Sequence, residues 1–393
     1  RVKRFTVLFF VALLSYLGSA QSYQFFSYGL PEGMCDKFAY TINQDQQGFL
    51  WIGTSMGLCR FDGQAFEQDF KGDSIPQSIA HTSLMDSRGR LWFGHENGLI
   101  SVLEDGRFTS IDPGEFRDNL RSKVTAIRED VSGNILVLCQ QTGLLHIAPD
   151  LNIIHAGDPA DPEGPFTGKV LYDFQLTTEG HLLVGTNMGL LIYRYESNLE
   201  TYIQTGTIAD LEYLGVQTIV PGIKENEFWI GTEDEGLFRL SGTGYDPEAY
   251  VVEKLGEEEG LAYASVSSIR FDGLRRVWVN DFGKGIYRIE LDESGLLVSS
   301  RFFDVDAGIP HQYINQIFID QEGNQWFTSQ GNGIAVLRDQ AFTFFNPWVD
   351  ELFTDVNSIY FRGDEYWFGG QGRVAYSSGR EFDRPQAIIN SMA

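Results

Sequence analysis

Cysteine is scarce in this chain: among 393 residues there are only three, Cys35, Cys59 and Cys139. So few cysteines exclude the disulfide framework of a small secreted scaffold, and they lack the CxxC spacing of a zinc site. The spacing permits a bridge between Cys35 and Cys59 but does not imply one. Free cysteines behave as small buried hydrophobes, and this is the state that we expect for all three.

Positive charge is scarce as well. The chain has 29 Lys and Arg residues against 54 Asp and Glu residues, which gives a net charge of −25 at pH 7. A protein with this balance repels a phosphate backbone, so the composition excludes nucleic acid as a partner. Hydrophobic residues make up 42% of the chain and aromatic residues 14%, which is enough for a large core and excludes a disordered chain.

Recognisable catalytic and metal-binding motifs are missing from the sequence. The six histidines form no HExxH or paired-ligand motif, and no segment resembles a nucleophile elbow, a phosphate-binding glycine loop or a kinase motif. A recurring turn, Asp-x-x-Gly, carries one aspartate, whereas calcium needs about six to eight oxygen ligands. The sequence therefore predicts no metal, no cofactor and no enzymatic activity for this chain.

The first apolar run, Phe5–Leu17, has thirteen residues and is too short to cross a bilayer, which takes about 20. Arg1, Lys3 and Arg4 precede it, and the small residues Gly18–Ala20 follow it. This order is typical of a signal peptide with its cleavage site, so we predict a signal peptide over residues 1–20 and export of the chain. Because the first residue is not Met, we expect a piece of a longer protein.

An internal repeat runs through the rest of the chain. Each copy has a β-branched stretch that ends in Asp-x-x-Gly, then a short apolar run such as Leu50–Gly53, then a glycine turn and two further strands. The apolar run barely alternates, which indicates a strand covered on both faces. Eight copies share one Trp or Leu position and follow each other at intervals of 41 to 49 residues: Trp51, Trp92, Leu136, Leu183, Trp229, Trp278, Trp326 and Trp367.

Four antiparallel strands per repeat, with both sheet faces buried, are typical of a propeller blade. We therefore predict an all-β fold, a β-propeller of four-stranded antiparallel blades with seven blades over residues 21–347. Tyr23–Tyr28 resembles an orphan fourth strand that completes the last blade and closes the ring. The eighth repeat, residues 348–393, is either an eighth blade or, as we favour, the start of a second propeller. The repeated tryptophans are predicted to be core residues. Trp348 either stacks against a ligand or, as we favour, packs between two rings.

The first copy reads YTINQDQQGFLWIGTSMGLCRFDG from Tyr40 and follows Tyr28–Pro31. It resembles the two-component regulator propeller family, above all the N-terminal periplasmic sensor region of hybrid or ordinary sensor histidine kinases. Copies three and four depart from the pattern, with Leu in place of Trp and, in copy three, Leu138 in place of a glycine. The resemblance implies a periplasmic sensor that is tethered to the inner membrane in the full-length protein, forms a homodimer and signals to a downstream membrane helix and kinase.

The turns between the second and third strands vary from copy to copy. In a four-stranded blade these turns emerge at the same end as the connections between blades, and loops on a rigid scaffold carry function. We predict that this end binds a carbohydrate, for example an oligosaccharide fragment, or another nutrient, although solvated loops would vary too. The candidate ligand-binding residues are His95, Glu96, Asn97, Asn187, Glu233, Asp234, Glu235, Asp281, Gln330 and Asn332.

Two other functions are compatible with the sequence. Copy seven, Gly323–Thr328, is similar to the repeat of streptogramin-lyase propellers, which need a catalytic histidine with a bound metal near the axis. His311 is the histidine nearest to that copy in the sequence. The third hypothesis is a scaffold that binds only protein.

Overall fold

The computed structural model describes residues 25–68, 75–116, 120–156, 164–196, 201–256, 261, 265–273, 275–338, 356–362, 365–370, 373–378 and 386–390. The predicted signal peptide and Trp348 lie outside these residues. The chain divides into two compact units, Gln24–Arg338 and a second unit that contains the described residues from 356 onward. No helix in the described part is both long enough and apolar enough to cross a membrane.

The first unit contains seven antiparallel sheets of four strands each, which we call blades 1 to 7. The strands are, in chain order, β1 (Phe25–Tyr28); in blade 1, β2 (Ala39–Gln44), β3 (Leu50–Thr54), β4 (Gly57–Phe61) and β5 (Phe66–Glu67); in blade 2, β6 (Ala80–Met85), β7 (Leu91–His95), β8 (Ile100–Glu104) and β9 (Arg107–Ile111); in blade 3, β10 (Val124–Glu129), β11 (Ile135–Cys139), β12 (Gly143–Ile147) and β13 (Ile153–Ala156); in blade 4, β14 (Leu171–Leu176), β15 (Leu182–Thr186), β16 (Gly189–Glu196) and β17 (Thr201–Thr207); in blade 5, β18 (Val216–Pro221), β19 (Glu227–Thr232), β20 (Leu237–Ser241) and β21 (Val251–Leu255); in blade 6, β22 (Ile269–Phe271), β23 (Arg276–Asp281), β24 (Gly285–Leu291) and β25 (Leu297–Phe303); and in blade 7, β26 (Ile314–Ile319), β27 (Gln325–Ser329) and β28 (Ile334–Leu337).

The seven blades form a closed ring. The first strand of every blade contacts the first strand of the next one, from β2 through β6, β10, β14, β18 and β22 to β26, and β26 contacts β2 again. These seven strands are therefore the inner wall of the ring, around a central channel. Helical structure in the described part of this unit is limited to α1 (Pro113–Phe116) and the 3-10 turns Leu30–Glu32, Ala209–Leu211 and Pro247–Ala249. The predicted seven-bladed propeller is confirmed.

The N-terminal strand closes the ring. β1 pairs antiparallel with β28, with Phe25 opposite Leu337 and Tyr28 opposite Ile334, and so supplies the fourth strand of blade 7. Blade 7 is thus built from the first strand and the last three strands of this unit. This pairing leaves no free strand edge where the ring closes. The prediction that Tyr23–Tyr28 acts as an orphan fourth strand is confirmed for the described residues 25–28.

The eighth repeat forms a four-stranded sheet of its own in the second unit. Its strands pair in the order β29 (Val356–Arg362), β30 (Glu365–Gly370), β31 (Arg373–Ser378) and β32 (Gln386–Asn390). It is not one of the seven sheets of the ring. That this sheet begins a second propeller remains a prediction.

In blades 1, 2 and 7 the aspartate of Asp-x-x-Gly makes two kinds of hydrogen bond. In blade 1, Asp45 Oδ1 accepts hydrogen bonds from the backbone N–H groups of Gln47 and Phe49, both at 2.9 Å, and so closes the turn. Its Oδ2 accepts a bond from the indole Nε1 of Trp51 at 2.8 Å. The buried indole is thereby satisfied, as burial of a polar group requires. The same indole-to-aspartate bond recurs in blades 2 and 7, from Trp92 to Asp86 at 2.8 Å and from Trp326 to Asp320 at 2.7 Å.

The repeated tryptophans of the first unit are core residues, as the sequence predicted. Trp92 is 0% exposed and even the most exposed of the five, Trp326, is only 6% exposed. Each packs between neighbouring blades; Trp326, for instance, lies in one cluster with Ile42 and Ile52 of blade 1. The side chain of Trp367, in the eighth repeat, is not among the described ones.

The expectation of three free cysteines is wrong for two of them. Cys35 and Cys59 form a disulfide with their Cα atoms 6.0 Å apart, while Cys139 is free and buried. Cys35 lies on the connection from the closing strand β1 to blade 1, and Cys59 lies on β4. Sequence spacing could not show this pairing, because it depends on how the connection before β2 folds back against β4. The bridge fastens that connection to blade 1.

We expect the double variant Cys35→Ala/Cys59→Ala to lower the free energy of unfolding by about 3 kcal/mol, because the bridge closes a loop between residues 24 positions apart and so restricts the unfolded chain. Urea unfolding with and without a thiol reductant measures this. Reductant should bring the wild-type protein to the stability of the double variant and leave the double variant unchanged. A wild-type protein that is insensitive to reductant would contradict the disulfide.

Candidate functional site

The variable turns and the connections between blades share one end of the ring, which we call the upper face. In blade 2, the backbone N–H of Glu96, the first residue of the turn, donates to the carbonyl of Ile79, just before the inner strand, at 2.8 Å. Blade 5 repeats this bond from Glu233 to Gly215 at 2.8 Å, and blade 7 from Gln330 to Tyr313 at 3.0 Å. The turn and the incoming chain are therefore fixed to each other, and the sequence-based placement of both at one end is correct.

A second set of residues lies where the inner strands enter from the upper face. The second residue of each of six inner strands is a β-bulge, at which the pairing register shifts. A bulge re-aims its side chain and is common beside functional sites. These residues are all half-buried, and we call them the funnel ring: Tyr40, His81, Thr125, Tyr172, Gln217 and Asn315.

Members of the funnel ring contact one another around the channel mouth. The rings of Tyr40 and His81, from blades 1 and 2, lie 5.0 Å apart in an edge-on arrangement. The side chain of Gln217 hydrogen-bonds to the Tyr172 hydroxyl of the preceding blade. Asn315 Nδ2 donates to the backbone carbonyl of Ala39, at the start of β2, at 2.7 Å. This bond connects blade 7 to blade 1 next to Tyr40. The result is a rim of aromatic and polar groups around the mouth of the channel.

His81 links the funnel ring to the variable turns. Its Nε2 pairs with the exposed carboxylate of Glu96. Burial, together with the positive charge of Lys123, lowers the pKa of His81 to about 4 in spite of Glu96. The imidazole is therefore neutral at pH 7 and can accept or donate one hydrogen bond. Burial and the nearby carboxylates of Asp36 and Glu96 raise the pKa of Tyr40, so its hydroxyl keeps its proton.

Two of the predicted site residues are fully buried. His95 is 0% exposed, its Nε2 lies 2.9 Å from Ser101 Oγ, and its Nδ1 lies 3.2 Å from the Ser78 carbonyl. Burial lowers the pKa of His95 to about 4. Asp281 is also 0% exposed; it accepts a bond from the Ser265 N–H and pairs with Lys284 Nζ at 3.1 Å. In this conformation both residues serve the fold and offer no group to a ligand.

Three predicted amide residues hold loops in place. Asn187 Oδ1 accepts a bond from the N–H of Val170 at 2.9 Å, and Asn332 Nδ2 donates to the carbonyl of Pro310 at 2.7 Å. Gln330 Nε2 donates to Asn315 Oδ1 of the funnel ring at 2.9 Å. Through these hydrogen bonds the three amide side chains hold the loops of the upper face in place.

The remaining predicted residues are exposed on the turns of blades 2 and 5. Glu96 and Asn97 lie in the first of these turns, and Glu233, Asp234 and Glu235 in the second. Glu235 is already paired with Lys254, and the charge of Glu233 acts on Tyr172 of the funnel ring. The structure thus brings Glu96 and Glu233, each beside one funnel aromatic, to the mouth of the channel.

The funnel ring is not among the site residues predicted from the sequence, although the sequence carries a signal for it. Its members stand eleven positions before the repeated Trp or Leu, or twelve in blade 5, for example Tyr40 before Trp51. The position before it is apolar in all six strands, whereas this one changes between aromatic, imidazole, hydroxyl and amide side chains. A variable polar residue at a fixed place in an inner strand indicates a position that packing does not determine.

His311, the histidine considered for a lyase-type site, lies on the connection between blades 6 and 7. Its Nδ1 accepts a hydrogen bond from the N–H of Tyr313 at 3.1 Å. Within the described ranges, no cluster of three or more His, Cys, Asp or Glu side chains could hold a metal ion.

The comparison with known families agrees with this geometry. Residues 33–56, from the connection after β1 to the first variable turn, match the family model described as a two component regulator propeller. The resemblance stated from the sequence is thereby confirmed for this segment. No curated protein sequence matches the chain significantly.

Solved structures show the same propeller fold. The extracellular domain of a putative one component system from B. thetaiotaomicron is 20% identical over 94% of this chain and 47% of its own length, with a TM-score of 0.60. This chain thus spans about half of that domain. Virginiamycin B lyase from Staphylococcus aureus is 15% identical over 80% of this chain and 98% of its own, with a TM-score of 0.60. PorZ, a surface component of the type-IX secretion system of Porphyromonas gingivalis, is 16% identical over 90% of this chain and 55% of its own, with a TM-score of 0.57. At these identities the likeness shows the fold and not the function.

Proposed function

We propose that this chain is the extracytoplasmic ligand-sensing propeller of a two-component signalling protein and that its ligand is a neutral carbohydrate fragment bound in the funnel ring. The observation that carries the proposal is the rim of Tyr40, His81, Tyr172 and Gln217 beside two exposed carboxylates. The two component regulator propeller repeat and the extracellular propeller domain from B. thetaiotaomicron support the sensor role.

The chemistry of the funnel ring suits a sugar. Tyrosine rings offer flat apolar faces together with a hydroxyl, and the ring of Tyr172 is half-buried and so held in place. Glu96 and Glu233 offer carboxylate oxygens, which accept hydrogen bonds from sugar hydroxyls more strongly than neutral groups do. His81 is neutral at pH 7 and completes a set of acceptors and donors without adding a positive charge.

Export is part of the proposal. A disulfide between Cys35 and Cys59 persists in an oxidising compartment and is rare in the cytosol, which agrees with the predicted signal peptide. In the full-length protein the propeller would be a periplasmic domain tethered to the inner membrane. Ligand binding would favour one arrangement of a homodimer over another, since a ligand can shift an equilibrium only by its difference in affinity for the two states.

The test is calorimetric titration of the chain with a panel of neutral oligosaccharides. For a ligand found in this way, we expect Tyr40→Ala and Tyr172→Ala each to weaken binding about tenfold or more, as is typical of a central aromatic anchor. Tyr360→Ala is the matched control, because Tyr360 is an exposed tyrosine of the second unit, 64% accessible, and should leave affinity unchanged. A panel without any ligand, or full affinity in both funnel variants, would refute the proposal.

A further inference from the structure

Below the funnel ring, side chains cap the free edges of the inner strands. An innermost strand has unpaired N–H groups on the side that faces the channel. Gln316 Oε1 accepts the N–H of Ile42 in the next blade at 2.6 Å. Ser268 Oγ accepts the N–H of Ile317 at 3.1 Å in the same way. The channel wall is thus a ring of neighbouring blades joined by polar side chains.

Ionised side chains are few on this wall. The seven inner strands carry four of them, Arg128, Glu129, Asp173 and Arg270, in a chain with 83 charged residues, 29 basic and 54 acidic. The only histidine on these strands, His81, is neutral at pH 7. Three of the four, Arg128, Asp173 and Glu129, form ion pairs or hydrogen bonds with other residues. Arg270 is the fourth.

Arg128 and Asp173 neutralise each other. Arg128 Nη2 donates to Asp173 Oδ1 across the boundary of blades 3 and 4 at 2.8 Å. Asp173 Oδ2 also accepts the N–H of Ile219 at 2.9 Å, so both of its oxygens are engaged. Glu129 lies further along β10, where its carboxylate binds the backbone and the hydroxyl of Ser87. None of these carboxylates is left to pair with another cation.

Arg270 is the isolated cation. It lies on β22, between the inner strands of blades 5 and 7, and is exposed to solvent, so its guanidinium opens into the channel. Within the described part of the chain, no carboxylate is within ion-pair distance of it. The atoms of the surrounding wall and the charge of Arg128 both lower the pKa of Arg270.

We propose that the central channel binds a small oxyanion at Arg270. The planar guanidinium binds carboxylate, sulfate and phosphate through two parallel hydrogen bonds. A cation without a partner in a confined channel has given up part of its hydration, and an anion restores the lost interactions. The chain as a whole has a net charge of −25 and repels anions. An anion therefore binds more favourably at Arg270 in the channel than at the acidic outer surface.

The channel site lies at a different level from the funnel ring. Arg270 stands three positions after the place in its blade that corresponds to the bulge. Along an extended strand this offset is about 10 Å, at about 3.3 Å per residue. The inference therefore does not depend on the proposed sugar site. The oxyanion is either free in solution or the carboxylate of a larger ligand, such as a sugar acid, and the experiment separates these sources.

The experiment is calorimetric titration of the chain with sodium sulfate, sodium phosphate, sodium acetate and sodium glucuronate at constant ionic strength. We expect saturable binding of at least one of them and a loss of about tenfold or more in Arg270→Gln, since the substitution removes the charge-assisted hydrogen bonds to the anion. Tighter binding of glucuronate than of acetate identifies a sugar acid as the source. Stronger binding of sulfate or phosphate identifies a free inorganic anion.

Arg107→Gln is the matched control, since Arg107 is an exposed arginine on the outer strand β9 and its loss changes the net charge equally. It should bind the anion as the wild-type protein does. Arg270→Lys keeps the charge, and we expect it to retain part of the affinity, which guards against a folding defect in Arg270→Gln. No saturable binding by any of the four anions, or equal binding by wild type and Arg270→Gln, would overturn the inference. Tyr40→Ala should leave anion binding intact, so failure of the sugar site is distinguishable.

Discussion

Gly53→Ala is expected to lower the free energy of unfolding of the propeller by about 3 kcal/mol. A Cβ at this position would lie 2.5 Å from the backbone carbonyl oxygen of Ala80 and 2.5 Å from Thr41 Cγ2. The carbonyl belongs to the inner strand of the next blade and cannot rotate away as a flexible side chain could. One methyl group therefore forces two blades apart. Urea unfolding followed by tryptophan fluorescence measures the loss.

Gly256→Ala is the control for this prediction. A Cβ at Gly256 would meet no atom within 4 Å, and its backbone needs no left-handed conformation. Restricting the unfolded chain at such a site is neutral or stabilises by up to about 1 kcal/mol. If the two variants were equally stable, the close approach of blades 1 and 2 at Gly53 would not exist in solution.

Asp86→Ala is expected to cost about 3–5 kcal/mol, the typical loss when one partner of a buried ion pair is removed. Asp86 accepts bonds from Trp92 Nε1 at 2.8 Å and from Arg90 Nε at 2.7 Å. Arg90 is 3% exposed, so the substitution leaves a buried positive charge without its carboxylate. Equilibrium unfolding in urea gives the difference.

Asp45→Ala is the matched control, because Asp45 has the same place in blade 1 and binds Trp51, but no arginine of the described residues pairs with it. We expect this variant to lose about 1–2 kcal/mol, the contribution of the turn and indole hydrogen bonds. A loss as large as that of Asp86→Ala would show that the turn, and not the buried charge, dominates.

The same pair gives a pH dependence. Burial alone would raise the pKa of Asp86, but the bonds from Trp92 and Arg90 outweigh it and hold that pKa below its usual range. The carboxylate therefore stabilises the fold at pH values above about 4, the ordinary value of an aspartate. This stability is lost as the pH falls through the lowered pKa in the folded state. Acid titration of wild type and Asp86→Ala should show a steeper loss in the wild-type protein.

Much of the ring could be predicted from local sequence. Asp45 and Trp51 are six residues apart, so the turn and the core contact that they form are decided within one hairpin. The closing strand was also predictable, because a strand-like segment before the first repeat has no other place in a closed ring. These features depend on contacts that recur in several copies, such as the indole-to-aspartate bond of blades 1, 2 and 7, and so appear as a repeat in the sequence.

The candidate site was less predictable, and the reason is geometric. His95 and Glu96 are adjacent in the sequence and both polar. His95 is buried at the end of β7, whereas Glu96 is exposed at the channel mouth. They differ because neighbouring residues of an extended chain point in opposite directions. The funnel ring collects one residue from each of six blades, at positions that differ in identity, so that no local pattern marks their meeting.

The seven-bladed ring, its tryptophan core and its seam were predictable from the chain alone, because they follow from a repeated pattern of turns and apolar runs. Contacts between distant residues became visible only in the folded ring: Cys35 with Cys59, Tyr40 with His81, and Arg128 with Asp173, while none of the described carboxylates lies within ion-pair distance of Arg270. A ring brings together residues that are far apart in the chain, and their proximity depends on the number and curvature of the blades rather than on any one of them.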